Sequence, residues 1–163
     1  MRRLPLSAHD GRINPLMMEM TMQGFWKTWM TVWCWGVILF GAVLAAGGLP
    51  GTDGAVTFLY SLLGNLSVDA LQLGAPGMRF SIALMGAVTI GWGLTILFLL
   101  PAIHAAGASA WRGLTAALVI WYVIDGALSA ATGFALNIVP NTALAIAYFV
   151  PVMASGVLRP AGR

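Results

Sequence analysis

The sequence predicts an all-α integral membrane protein folded as a bundle of four transmembrane helices, with short interfacial helices between spans 1 and 2. Three observations carry this. Of 163 residues, 60% are hydrophobic and only 8% charged, whereas soluble domains hold about 25% charged residues. Mean hydropathy is +0.88. Four apolar stretches, near 25–47, 80–100, 114–134 and 142–158, match the roughly 17–25 residues a spanning helix needs. One membrane domain, 25–159, accounts for nearly the whole length, with a flexible cytoplasmic arm over 1–24 and a short cytoplasmic tail over 160–163.

The arm is polar, with Arg2, Arg3 and Arg12 set against Asp10 and Glu19. Its cluster Met17, Met18, Met20 and Met22 admits two readings. Thioethers are soft ligands for Cu(I); the simpler reading is a set of alternative start codons, with residues 1–16 an extension. The first span, Phe25 to Gly47, places Trp26 and Trp29 where aromatic rings favour the interface, and Trp33 and Trp35 deeper, on either side of Cys34. The run AVLAAGG at its end resembles a signal-peptide cleavage site, but the polar arm and four tryptophans favour a retained helix.

Leu49 to Gly77 is bounded by Pro50, Gly51 and Gly54 at one end and Gly74, Pro76 and Gly77 at the other. The segment between is interrupted by Gly64, Asn65 and Asp69. It predicts one or two short surface helices, with Phe58, Leu59, Leu62 and Leu63 facing lipid or the bundle top and Asp53 as an N-cap. The second span, Phe80 to Leu100, is expected to stop at Pro101. Ala83, Ala87, Gly91 and Thr95 form a small-residue stripe at i+4 spacing, and Gly86 and Gly93 share a second face; both suit close helix packing.

The third span, Leu114 to Phe134, follows Trp111 and Arg112 at its interface and carries Asp125 near its middle. Trp121, Asp125, Ser129 and Gly133 recur at i+4 and so share one side of the helix. Asn137, Pro140 and Asn141 mark a loop. The fourth span, Thr142 to Leu158, ends at Arg159. Pro151 within it should kink the helix and free the carbonyl of residue 147.

With four spans, one side of the membrane carries Arg2, Arg3, Arg12, Lys27, Arg112, Arg159 and Arg163, and the other only Arg79. Positive charge favours the cytoplasm, so both termini are expected there, which in a bacterium means the inner membrane.

Stacking the span midpoints puts Trp33, Trp92, Asp125 and Tyr148 near one depth, with Trp121 a turn away. Together with Ser129 and Asn137 these make the expected ligand-binding set. An acid at bilayer depth costs on the order of 2.5–3.5 kcal/mol, while polar contacts between membrane helices return about 0.6 kcal/mol on average. Stability alone is therefore a poor reason for Asp125, and a proton or ligand site is the favoured reading over a purely structural one. Each Asn taken separately is better explained as a turn or cap residue.

Gly86, the GWG triplet at Gly91–Gly93, and then Trp121, Asp125, Ser129, Gly133, Asn137 and Asn141 at four-residue intervals form a pattern. It is similar to that of an uncharacterised family of small bacterial four-helix integral membrane proteins, over about Gly86 to Pro151. That resemblance implies the fold and a start close to the first span, and it implies no activity. The helix count is also DoxX-like.

The function classes narrow accordingly. A single cysteine excludes an internal disulfide or CxxC pair. His9 and His104 lie outside the apolar spans, against a bis-histidine haem within the bundle, and nothing calls for a metal or cofactor. Scattered basic residues without a stripe argue against nucleic acid. Besides the lipid bilayer, a homo-oligomer or a larger membrane-protein partner is expected. The leading function is binding of a small molecule or proton at the Asp125 site, probed by Asp125→Asn. The alternative is a non-enzymatic structural or accessory subunit docking through the Ala83–Thr95 stripe. An enzyme is the weakest reading, because a lone Asp is half of an acid–base pair.

Overall fold

The computed structural model describes residues 15–159, with side chains from Gly24 onward. Five α-helices follow in order: α1 (Pro15–Ala46), α2 (Gly54–Gly64), α3 (Pro76–Ala106), α4 (Ala108–Ala131) and α5 (Ile138–Ala154). Single 3₁₀ turns at Val68–Leu71 and Ala135–Asn137 precede α3 and α5. Among the described residues there is no strand. Four segments are long and apolar enough to cross a membrane: Gly24–Ala46, Pro76–Ala106, Ala108–Ala131 and Ala135–Ala154. Large apolar side chains face outward along them, Phe98 at 73% exposure and Val32 at 64% among them. That surface suits hydrocarbon and not water, and the chain is a multi-pass membrane protein.

The helix α1 begins at Pro15, inside the segment read as a flexible arm, while residues 1–14, the tail 160–163 and the side chains of the Met17–Met22 cluster lie outside the described residues.

The closest helix pair is α1 with α3. A Cβ on Gly41 would come within 2.7 Å of the Ile90 backbone nitrogen, and one on Gly86 would overlap the backbones of Ala45 and Gly41. Gly93 lies against Ile38 in the same way. Backbone meets backbone here, which only glycine permits. The expected stripe behaves differently. A Cβ on Gly91 would meet nothing within 4 Å, and Ala87 and Thr95 are exposed. Helix contact in this chain therefore uses the Gly86–Gly93 face, and the Ala87–Thr95 side points away from the bundle.

Two boundaries differ from expectation for local reasons. Pro101 does not end α3, which runs on to Ala106. Proline removes one hydrogen bond there, but the following AIHAA is helix-permissive. The break falls instead at Gly107, whose φ of +72° costs a glycine nothing. Consequently α3 and α4 meet at a single residue, and α4 starts six residues before the predicted Leu114. Trp111, expected at an interface, is buried at 2% exposure against His104, ring centroids 5.0 Å apart.

Pro151 sits within α5, and the carbonyl it strips of a partner is satisfied across the bundle. The Trp29 indole donates to the Ala147 oxygen at 2.8 Å. One turn deeper on α1, Trp33 donates to the Leu144 oxygen at 3.0 Å. The two indoles thus fasten α1 to α5.

The segment between α1 and α3 folds back over the Arg79-bearing end of the bundle. Val56, Leu71 and Leu73 are buried with Leu44 and Ile82, and Leu59, Tyr60 and Phe134 pack on them. Of the four residues expected to face lipid or bundle top, Phe58 and Leu62 are exposed and Leu59 and Leu63 half-buried. Asp53 makes no side-chain cap on α2; its carboxylate pairs with Arg79 at 2.9 Å, tying the start of α2 to the first turn of α3.

Candidate functional site

The site is made by the way α4 ends. Gly133 adopts φ +85°, the Phe134 N–H reaches back to Ser129 O at 2.8 Å, and Gly133 N–H bonds Ala130 O at 3.3 Å. These paired bonds close the helix as a glycine-terminated cap. The chain then reverses through the 3₁₀ turn and returns as α5 alongside α4. Asn137 does not extend the Asp125–Ser129 line along one helix; it arrives from the other arm of the helical hairpin.

The antiparallel register follows from three contacts. Asn141 faces Asp125, the Tyr122 hydroxyl meets Thr142 Oγ1 at 2.7 Å, and Thr115 Oγ1 meets the Tyr148 hydroxyl at 3.0 Å. Two i,i+4 pairs are thereby set face to face, Asp125 with Ser129 on α4, and Asn137 at the N-cap of α5 with Asn141 in its first turn.

The other three converge on one carboxylate oxygen of Asp125. Asp125 Oδ2 accepts from Ser129 Oγ at 3.4 Å, from Asn137 Nδ2 at 3.1 Å and from Asn141 Nδ2. Asn137 Nδ2 also donates to Ser129 Oγ at 3.0 Å, so both of its hydrogens are used. The carboxylate dictates the amide orientation, because an amide oxygen turned towards Oδ2 would set acceptor against acceptor. Both amide oxygens are then left over, as is Asp125 Oδ1. Among the described residues none of these three oxygens receives a hydrogen bond, and none is sealed from the surface. The cluster presents three acceptor oxygens and one donor, the second Nδ2 hydrogen of Asn141.

It does so at the edge of a cavity of about 710 Å³, within the usual range of roughly 300–1,000 Å³ for small-molecule sites. The cavity opens where α4 stands away from α1. Phe40 and Leu44 of α1, Met85 of α3 and Leu128 of α4 wall it, while Tyr60 and Leu63 of α2 close it over. No Lys, Arg or His lines it.

Of the predicted site residues, Asp125, Ser129, Asn137, Trp121 and Trp92 border this cavity. Trp92 and Trp121 pack at a 35° tilt with centroids 5.5 Å apart. Trp33 and Tyr148 do not reach it. Trp33 packs behind Trp92 at 5.8 Å and against Tyr148 at 5.5 Å, and both are buried in the main core. Tyr148 bonds at the level of Thr115, ten residues from Asp125, which at roughly 1.5 Å per residue is about 15 Å along α4. The single-depth expectation fails because α5 starts at Ile138, four residues early.

Asn141 reads from sequence better as a turn residue than as a member of the Asp125 face, although its i+4 relation to Asn137 is the signal that pairs it with Asp125. The α2 contribution from Leu59, Tyr60 and Leu63 carried no signal beyond amphipathicity. Burial of the Tyr60 hydroxyl raises its pKa above the ordinary tyrosine value. Among the described residues no three His, Cys, Asp or Glu side chains converge as metal ligands.

No family model, no curated protein and no solved structure matches this chain.

Proposed function

We propose that this protein resides in the bacterial inner membrane, both termini cytoplasmic, and binds an amphiphilic small molecule between its helices. The polar head is an amine or another hydrogen-bond donor and lies against Asp125, Asn137 and Asn141. The apolar body occupies the space between Phe40, Leu44, Met85 and Leu128 under α2. The observation that carries this reading is the convergence of three donors on Asp125 Oδ2, which leaves acceptors facing an otherwise apolar cavity of about 710 Å³. Trp92 and Trp121 add aromatic faces that attract a cationic head.

An amine brings its own proton to the site. With the proton on the amine the pair is N–H···O, and with the proton on the carboxyl it is O–H···N. A coupled proton would be carried on the same group.

The test is a density map, with mass spectrometry, of protein extracted in mild detergent. A co-purifying amphiphile beside Asp125, lost in the Asp125→Asn variant, is expected. An empty cavity together with no co-purifying small molecule contradicts the reading.

A second reading, an accessory subunit, draws support from the outward-facing Ala87–Gly91–Thr95 side of α3, where a Cβ at Gly91 would meet nothing within 4 Å. It requires a specific partner that co-purifies and is lost on Gly91→Leu; recovery as a lone monomer counts against it.

A further inference from the structure

The Asp125 cavity is closed along the bundle axis and open at its sides. At the Arg79-bearing end, α2 and the turn after it lie across it. Val56 and Leu71 of this roof are buried with Leu44 and Ile82. The roof also rests on the α4–α5 connection. The Tyr60 and Phe134 rings are 5.9 Å apart, and a Cβ on Gly64 would come within 2.8 Å of the Phe134 ring. At the other end, Trp92 and Trp121 are the lining residues of α3 and α4 furthest from the roof, and their rings pack together. One turn beyond Trp121, Leu118 is sealed in the main core with Trp33.

The sides are different. Leu128 of α4 and Met85 of α3 line the cavity yet are 60% and 41% exposed, and Phe40 of α1 is exposed too. Across the cavity, no Cα of α4 comes within 8 Å of one in α1 among the described residues. These gaps lie within the spanning segments, so what faces them is hydrocarbon and not water.

Depth assigns the cavity to one leaflet. Asp125 lies six residues before the end of α4, and Phe40 six before the end of α1. At roughly 1.5 Å per residue, each is about 9 Å inside that end. Trp121, ten residues in, is about 15 Å inside it, half of a hydrocarbon core of about 30 Å. From roof to floor the cavity is one leaflet deep, the outer leaflet on the orientation proposed above.

The surroundings also constrain the head group. The free oxygens of Asp125, Asn137 and Asn141 take donors. No Lys, Arg or His lines the cavity, so a phosphate beside the amine would meet oxygens and no counter-charge. Withdrawing such a charge from water without a partner is costly. An amine next to a phosphodiester, as in phosphatidylethanolamine, is disfavoured on this ground.

We propose that the ligand is a phosphate-free lipid amine of the outer leaflet, bound with its head on Asp125 and its hydrocarbon chain leaving sideways between the helices into the bilayer. This rests on the acceptor-site reading above and adds the ligand's class and posture. The cavity holds the head and the first part of the chain, and the far end of the chain stays among lipid tails.

The test uses the full-length protein in phosphatidylcholine nanodiscs and two probes, dodecylamine and the same amine with a pyrene at the end of its chain. Binding of the pyrenyl amine is read by energy transfer from the tryptophans, with empty discs subtracted, and dodecylamine by its displacement of that signal or by native mass spectrometry. The titration is repeated in discs of chain-brominated phosphatidylcholine. The pyrenyl amine should bind within tenfold of dodecylamine, and its bound pyrene should be quenched by brominated lipid as fully as in protein-free discs. Excess phosphatidylethanolamine in the disc should displace neither probe.

Three results overturn the proposal while leaving an amine site at Asp125 standing. They are exclusion of the pyrenyl amine by more than tenfold while dodecylamine still binds, protection of the bound pyrene from bromine, and displacement of either probe by phosphatidylethanolamine. The first two would mean an enclosed chain, and the third a phospholipid ligand. Failure of both amines to bind saturably removes the proposal and the acceptor-site reading together.

Discussion

The bond between Trp29 and Ala147 can be tested by a double-mutant cycle with Pro151. In an unbroken helix, the N–H of residue 151 would bond the oxygen of residue 147. Proline has no N–H, and the Trp29 indole supplies the donor instead, at 2.8 Å. Trp29→Phe leaves that carbonyl unpaired, which costs about 1–3 kcal/mol for a buried group. Trp29 is 38% exposed, so the lower half of that range applies. Pro151→Ala restores the missing backbone donor, and Trp29→Phe in that background removes only ring contact. The two substitutions should therefore couple by about 1 kcal/mol, inside the range of up to about 1.7 kcal/mol found for polar contacts between membrane helices. Fraction folded against SDS mole fraction, followed by far-UV circular dichroism, gives the four stabilities. Additivity to within about 0.3 kcal/mol would refute the claim that the indole replaces the lost donor.

Other expectations follow from the same packing. Gly86→Ala should destabilise by about 1–3 kcal/mol through overpacking, because its Cβ overlaps the Ala45 backbone. Gly91→Ala, with open space around it, should be neutral or stabilising by up to about 1 kcal/mol; both are read from the same SDS titration. The Asp53–Arg79 pair is roughly a quarter exposed, so Arg79→Gln should cost under about 1 kcal/mol globally. Its effect should appear instead as faster hydrogen exchange in α2, which loses its tie to α3. Asn141→Leu should leave Asp125 with fewer donors, and with it weaken capture of any amine-headed amphiphile several-fold in a binding titration, while Thr115→Val, some 15 Å away by the roughly 1.5 Å rise per residue, should not.

Much of this architecture could be read from residue spacing, and the parts that could not have physical causes. The i+4 series through Trp121, Asp125 and Ser129 placed three residues on one helix face, and the structure keeps them together on the cavity. Pro151 implied an orphan carbonyl at residue 147, and the structure supplies its donor. What spacing could not supply was the third dimension. Pro101 looked like a stop, but the helix-permissive residues after it carry α3 on to Ala106 in spite of the lost bond, and the chain turned at Gly107 instead. Asn137 and Asn141 each looked like turn residues. Their common partner emerges only from the reversal at Gly133, which sets α5 against α4 in one register. Trp33 and Tyr148 were matched to Asp125 by assuming equal depth at span midpoints. A shift of four residues in where α5 begins moves Tyr148 to the level of Thr115 and into the core. The roof over the cavity depends on how a glycine-flanked connection folds back, and no local pattern specifies that.

The most direct measurement is the affinity of a long-chain primary amine, such as dodecylamine, for the protein in phosphatidylcholine nanodiscs, with empty discs subtracted. Dodecanoic acid serves as the matched anionic probe. Saturable amine binding that falls at least tenfold in Asp125→Asn, with no comparable binding of the acid, is the result expected of an acceptor-lined cavity. Equal binding of amine by wild type and Asp125→Asn, or no saturable binding above empty discs, would contradict it.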